Sequence, residues 1–182
     1  MAIEKEVPKA TWKFDSPLIY TGVGKVNAAL VATRAIMEFQ PDLVLNLGTA
    51  GTLDKDCQGV CEISSVIQRD FDTHPLAPRG VVPYQSTPSE LNSGYGKYRC
   101  GTGDSFMTQK DSWSQANGIQ LVDMELYSIA QASNIAKTPW RSAKYVSDIV
   151  GENSGSIWES QLFTANIELQ NWYRENILEM LK

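Results

Sequence analysis

The stretch from Pro17 to Leu53 constrains the fold most. Val26, Leu30, Ile36 and Phe39 fall at roughly helical spacing, Pro41 stops that helix, and Leu43–Leu47 follows as an unbroken apolar run. A run so short and so apolar predicts a strand buried on both faces, the kind found where helices cover a sheet. With the extended stretch Pro17–Tyr20 ahead of the helix, the rhythm is strand, helix, strand, which is the signature of the α/β class. The run leads into NLGTAGTL, which reads as a turn built on Gly48 and Gly51. Glycine turns after strands let backbone N–H groups approach a ligand, often a phosphate. No Lys or Arg lies between Pro41 and Leu53, however, and the nearby polar candidates are Asn27, Asn46 and Thr49.

Further along, Val60–Ile67 and Ile119–Val122 read as strands, Tyr98–Gly101 as a short one and Arg141–Val146 as another. Met124–Ala136 is a helix free of breakers. Asp70–Asn92 carries Pro75, Pro78, Pro83 and Pro88, which predicts an irregular surface excursion of the kind that closes over a site. From Trp158 to Leu181 the stripe Trp158, Leu162, Ala165, Leu169, Trp172 steps by four and three, as an amphipathic helix packed on a sheet does. At 182 residues the chain is long enough for one full core and short for two, so one domain spanning 1–182 is expected.

Charge narrows the partner class. The 21 acidic against 16 basic residues leave a net charge of −5 with no Lys/Arg cluster, which argues against nucleic acid and for a small neutral or cationic ligand. No apolar run approaches the ~20 residues of a membrane span, and MAIEKEVPK has no signal-peptide core, so a cytoplasmic location is expected. Cys57, Cys61 and Cys100 are too few and too oddly numbered for a disulfide framework; with His74 the one histidine, reduced thiols and no metal are expected.

Four polar features lie where strands end: Thr49, Asp104–Phe106 in GTGDSF, Asp123–Glu125 in VDMEL, and Ser147–Asp148 in KYVSDIV. Ligands of α/β sheets bind outside the carboxyl ends of the strands, so four such ends can converge on one site. Singly each has a plainer reading. Asp123 or Asp148 serves as a helix N-cap, Glu125 is favoured in a first turn by the helix dipole, and GVGK lacks the spacing of any phosphate loop.

Taken in order, AIEKEV, GVGKVNAA, NLGTAG, RDFD, GTGDSF, VDMEL and VSD resemble the 5′-methylthioadenosine/S-adenosylhomocysteine nucleosidases within the purine nucleoside phosphorylase family, from residue 2 to about 160. The resemblance implies a three-layer α/β sandwich, its central mixed sheet flanked by helices on both faces. It implies hydrolysis of a purine nucleoside to free base and sugar, with adenine the favoured base and no metal or organic cofactor. It also implies a homodimer in which a neighbour's loop, around Pro78–Pro83, closes the 5′-site. Family phosphorylases carry an Arg for phosphate two residues before the first Gly of NLGTAG, whereas the hydrolases commonly have Asn there, as Asn46 is here. Lys25 in GVGK is the possible phosphate partner that keeps a phosphorylase in view.

The roles carried over are these. Asp148 looks like the general acid to N7 of the leaving purine, oriented by Ser147, and Glu6 like the general base that activates water on the opposite face of the sugar. Glu125 looks like the ribose clamp, with Met124 packing under the sugar and Thr49 beside it. Phe106 stacks on the purine, the backbone of Met107 reads its edge, and Trp158 lies over the 5′-substituent.

The chain also departs from the family. It begins inside the region where members have a complete first strand, so that strand is expected to be missing. Lys144 stands where the nucleosidases use Arg to support water and sugar, Phe71 replaces a His, Gly151 replaces an Asp, and the segment Pro78–Pro83 is unlike the usual 5′-pocket. Two other readings stay open: a phosphate-dependent phosphorylase and an inactive nucleoside-binding protein.

Overall fold

The computed structural model describes residues 1–85, 88–151 and 153–179. Its strands are β1 (Val44–Thr52), β2 (Val60–Gln68), β3 (Glu90–Asn92), β4 (Tyr98–Thr102), β5 (Leu121–Asp123) and β6 (Trp140–Ile149). Its helices are α1 (Lys25–Phe39), α2 (Ser112–Ala116), α3 (Leu126–Ala136) and α4 (Ser154–Tyr173), which passes into a π-helical turn over Arg174–Leu178. The expected end of the last helix at Leu181 lies outside the described residues, as do positions 86 and 87 of the proline-rich stretch.

The strands form one mixed sheet in the order β3-β2-β4-β5-β1-β6, and β2 also pairs with β6. That extra pairing rolls the sheet into a closed ring, where a three-layer sandwich about a central mixed sheet was expected. The cause lies in β2, which pairs antiparallel with β6 over Val60–Glu62 and then parallel with β4 from Ile63, with a register shift between Ile63 and Ser65. An irregularity of this kind bends a strand and strengthens its twist, so one strand serves two neighbours in succession.

Helix α4 buries Leu169 and Tyr173 against Leu47 of β1 and Ala143 of β6. Helix α3 buries Leu126, Tyr127 and Ala130 in a cluster with Ala50 and Trp140. Leu47 and Ala50, like Trp140 and Ala143, are an odd number of residues apart and so divide between the two faces of their strands. Helix α1 lies on α3 through Ala28, Ala32 and Ile129. It ends where Gln40 takes a left-handed conformation, φ 45°, immediately before Pro41.

The Gly48/Gly51 turn expected after Leu47 is not a turn. Strand β1 runs through both glycines to Thr52, held by parallel pairing with β6 along its whole length. A continuous ladder on one edge outweighs the local preference of two glycines for a bend. Strand β3, inside the stretch expected to be irregular, is a three-residue edge strand on β2, and α2 was not foreseen; both are too short to carry a periodic signal. No described helix is long and apolar enough to cross a membrane.

Candidate active site

A cavity of about 190 Å³ opens at the carboxyl ends of β1, β5 and β6 and is walled by the chain start, Val23 and residues 105–107. Glu6, Thr49, Phe106, Met107, Met124, Glu125, Ser147, Asp148 and Trp158, all expected from the sequence, line it together. Lys144 does not: it stands behind the wall.

The glycines of β1 make room for the carboxylates. A Cβ on Gly48 would sit 3.2 Å from Oε1 of Glu6 and 3.5 Å from Nζ of Lys144, and a Cβ on Gly51 would sit 3.3 Å from Oδ2 of Asp148. Their task is close approach to acidic side chains rather than backbone contact with a phosphate. Between them the β1–β6 register shifts, leaving Ser147 as the additional residue and bringing Asp148 level with Gly51. A bulge re-aims the side chain beside it, and here the side chain is that of Asp148.

Each acidic group is held by named donors. Thr49 donates to Oε1 of Glu6 through its N–H and its hydroxyl, both at 2.8 Å, and the indole N–H of Trp158 donates to the Thr49 hydroxyl at 2.9 Å. Ala2 N–H reaches the other Glu6 oxygen at 3.2 Å. The Ser147 hydroxyl donates to Asp148 at 2.7 Å. Gly24 N–H donates to Glu125 at 2.9 Å, which ties the start of α1 to the start of α3.

Beneath the floor lies a buried ion pair. Nζ of Lys144 is 2.8 Å from Asp123, whose oxygens also accept from the Thr102 hydroxyl at 2.5 Å and from Leu126 N–H at 2.9 Å. Glu125, not Asp123, stands at the N-cap position of α3; Asp123 accepts from the N–H of the helix's first residue and holds Lys144 away from the cavity. Burial works against the Asp123 charge, but Lys144 and these hydrogen bonds outweigh it and keep the carboxyl below its ordinary range. Burial likewise opposes the Lys144 charge, and Asp123 with Glu125 overcomes that and raises its pKa. Among the described residues Glu125 forms no ion pair; burial, reinforced by the charge of Asp123 and opposed by Lys144, pushes its carboxyl up to about 7.

Asn46, whose side chain was expected to replace a phosphate-binding Arg, is buried in the sheet and accepts a hydrogen bond from the Ser142 hydroxyl at 3.0 Å. Lys25 is held by carboxylates, 2.6 Å from Asp70 and 3.7 Å from Asp104, with a further bond to Gln68 at 3.2 Å. Arg69 went unremarked within RDFD; its guanidinium donates to the carbonyls of Gly103 and Ser105 and to the Ser105 hydroxyl, and so fixes the loop that carries Phe106. Its position directly after β2 was the available signal. Phe106 itself is 49% exposed at the rim. Among the described residues no three His, Cys, Asp or Glu side chains are placed to hold a metal ion.

Comparison with known proteins adds relatives to this geometry. Residues 17–171 match the family model described as "Phosphorylase superfamily". The chain is 31% identical over 172 residues to a 5′-methylthioadenosine/S-adenosylhomocysteine nucleosidase of Oceanobacillus iheyensis, covering 81% of this chain and 74% of that protein. A crystal structure of the Colwellia psychrerythraea 34H nucleosidase of the same name, in complex with adenine, superposes with a TM-score of 0.78 at 26% identity, covering 93% of this chain and 88% of that one. A futalosine hydrolase of Helicobacter pylori strain 26695 shares the fold at a TM-score of 0.82 and 20% identity, over 93% of this chain and 91% of that one.

Proposed function

The chain belongs to the phosphorylase superfamily, with the 5′-methylthioadenosine/S-adenosylhomocysteine nucleosidases as its near relatives, and from that premise we propose that it hydrolyses the N-glycosidic bond of an adenine nucleoside. The observation that carries the reading is the pair of acidic groups seated against the two glycines of one strand. Glu6 lies against Gly48 and Asp148 against Gly51, and both line one cavity. A base and an acid facing one cavity with a water between them is the arrangement of glycosidases that invert.

Asp148 is the general acid. It meets the departing purine, whose developing negative charge makes the bond slow to break, and Ser147 fixes its orientation. Glu6 is the general base. Thr49 holds one of its oxygens with two hydrogen bonds, and the same carboxylate takes the proton of the attacking water on the far side of the sugar. Glu125 accepts from the ribose hydroxyls and, when ionised, favours the positive charge that grows on the sugar in the transition state. Met124 packs beneath the ribose, Phe106 covers the purine, the Met107 backbone reads its edge, and Trp158 lies over the 5′-group. Lys144 acts at one remove: its charge supports the site through Asp123 and not by direct contact.

The engagement of Lys25 by Asp70 and Asp104 weighs against a phosphate-dependent reaction. The working unit is a homodimer of single-domain protomers in the cytoplasm. Its pairing is supported by the exposed apolar residues Val26, Leu30 and Met37 along α1. Release of free base from methylthioadenosine, adenosylhomocysteine, adenosine and inosine, each with and without inorganic phosphate, tests the proposal. Adenine released without phosphate is the expected result. Binding without release identifies the inactive module, and release only with phosphate identifies a phosphorylase.

A further inference from the structure

Trp158 reaches beyond the wall it forms. Helix α4 is pinned to the end of β6 at its first residue: Gly151 N–H donates to the Ser154 hydroxyl at 2.9 Å, and that hydroxyl donates to the Ile149 carbonyl at 3.3 Å. Trp158 follows one turn later on the same side of the helix, where residues a turn apart are neighbours. Its half-buried ring walls the cavity, and its indole N–H crosses to β1 and donates to the Thr49 hydroxyl at 2.9 Å. Thr49 in turn donates to Oε1 of Glu6 through that hydroxyl and through its own N–H, each at 2.8 Å.

These three groups admit one order of donation. An indole N–H only donates, an ionised carboxylate only accepts, and a hydroxyl carries one proton and two lone pairs. The Thr49 hydroxyl therefore accepts from Trp158 and turns its single proton to Glu6. Each bond polarises the next, so the indole strengthens the hold of the hydroxyl on the carboxylate. Oε1 of Glu6 also lies against Gly48, where a Cβ would stand 3.2 Å away, so the carboxylate is confined from the strand side as well. A phenylalanine at this position would wall the cavity with an aromatic ring but would leave the Thr49 hydroxyl free to rotate. The N–H is what the residue present adds.

We infer that Trp158 is a positioning residue for the general base: its indole N–H sets the Thr49 hydroxyl as a donor to Glu6 and so fixes the carboxylate toward the attacking water. This role rests on the nucleosidase reading and goes beyond it, since contact with the 5′-group needs only the face of the ring. A base already held in the reacting geometry accelerates the chemical step and not the binding that precedes it. The N–H therefore contributes to kcat, and the ring face to KM.

Trp158→Phe keeps an aromatic wall and deletes the donor. Its kcat for methylthioadenosine is expected to fall about tenfold, the weight of one hydrogen bond, with KM within about twofold of wild type. Thr49→Val lowers kcat at least as far, and adding Trp158→Phe to it costs nothing more, because the two changes break one chain. Thr49→Ser, which keeps the hydroxyl, retains the wild-type kcat. A raised KM at unchanged kcat in Trp158→Phe, or losses that multiply in the double variant, overturns the proposal. The link is also read without substrate, which separates its failure from that of the nucleosidase reading. The indole N–H resonance of Trp158, assigned by its loss in Trp158→Phe, is expected to move in both Thr49→Val and Glu6→Gln. A resonance that stays in place in either variant overturns the proposal even where base is released. A resonance that moves in both, in a protein that releases no base, supports the link and removes the nucleosidase reading alone.

Discussion

Replacing Glu125 with Gln removes a carboxyl of the site whose pKa is raised into the neutral range. Glu125 is 7% exposed, and burial together with Asp123 moves it from 4.5 to about 7. A raised carboxyl keeps its proton in the folded state over a range where the unfolded chain has already released it. Stability therefore falls as pH climbs from about 4.5 to about 7, and is lowest above that. At about 1.4 kcal/mol per pH unit the full effect is about 3 kcal/mol. The Met1 amine works in the opposite sense: lowered from 8.0 to about 6, it adds stability as pH rises between those values. The amine is present in both proteins, and since Glu125 itself raises the amine's pKa, the difference between wild type and Glu125→Gln reports the carboxyl together with its smaller coupling to the amine. Urea unfolding of both at pH 4.5 and pH 8 is the assay. The variant is expected to gain about 3 kcal/mol on the wild type between the two pH values, and parallel stability at both would refute the assignment of a buried, proton-holding Glu125.

Asp148→Asn is expected to lower turnover by about 10²–10⁴-fold, measured as base release, while nucleoside binding by calorimetry persists. Glu6→Gln should fall in the same range, and a full rate in that variant would remove Glu6 from the role of base. Asp123→Asn leaves Lys144 buried without its counter-ion, so urea unfolding should show a loss of about 3–5 kcal/mol. Gly51→Ala places a methyl 3.3 Å from both Asp148 and Val150; the carboxyl must give by a few tenths of an ångström, and turnover should drop several-fold while the unfolding midpoint moves little.

Most of the site was legible before the fold was known, because its residues sit in short segments at strand ends and the chain order of those segments is distinctive. Glu6, Asp148 and Glu125 were reached that way and line one cavity. What escaped depended on distant partners. Gly48 and Gly51 read as a turn because glycine signals bends locally, yet their partners Lys144 and Asp148 on β6, far along the chain, hold them in a strand. The rolled sheet depends on Val60–Glu62 meeting Ala143–Tyr145, for which no local pattern exists. Lys144 was expected at the sugar on the strength of its position; its pairing with Asp123 is decided by the low dielectric beneath the sheet, where an unpaired charge is costly. Arg69 was passed over because an arginine after a strand is common, and only the loop it grips gives it a purpose.

The most direct test of the account is the fate of the water oxygen. Methylthioadenosine incubated with the protein in phosphate-free buffer made with ¹⁸O-water should yield adenine together with a sugar that carries one ¹⁸O at its anomeric carbon. Turnover that requires inorganic phosphate and delivers a sugar phosphate without the label would contradict hydrolysis and the role given to Glu6.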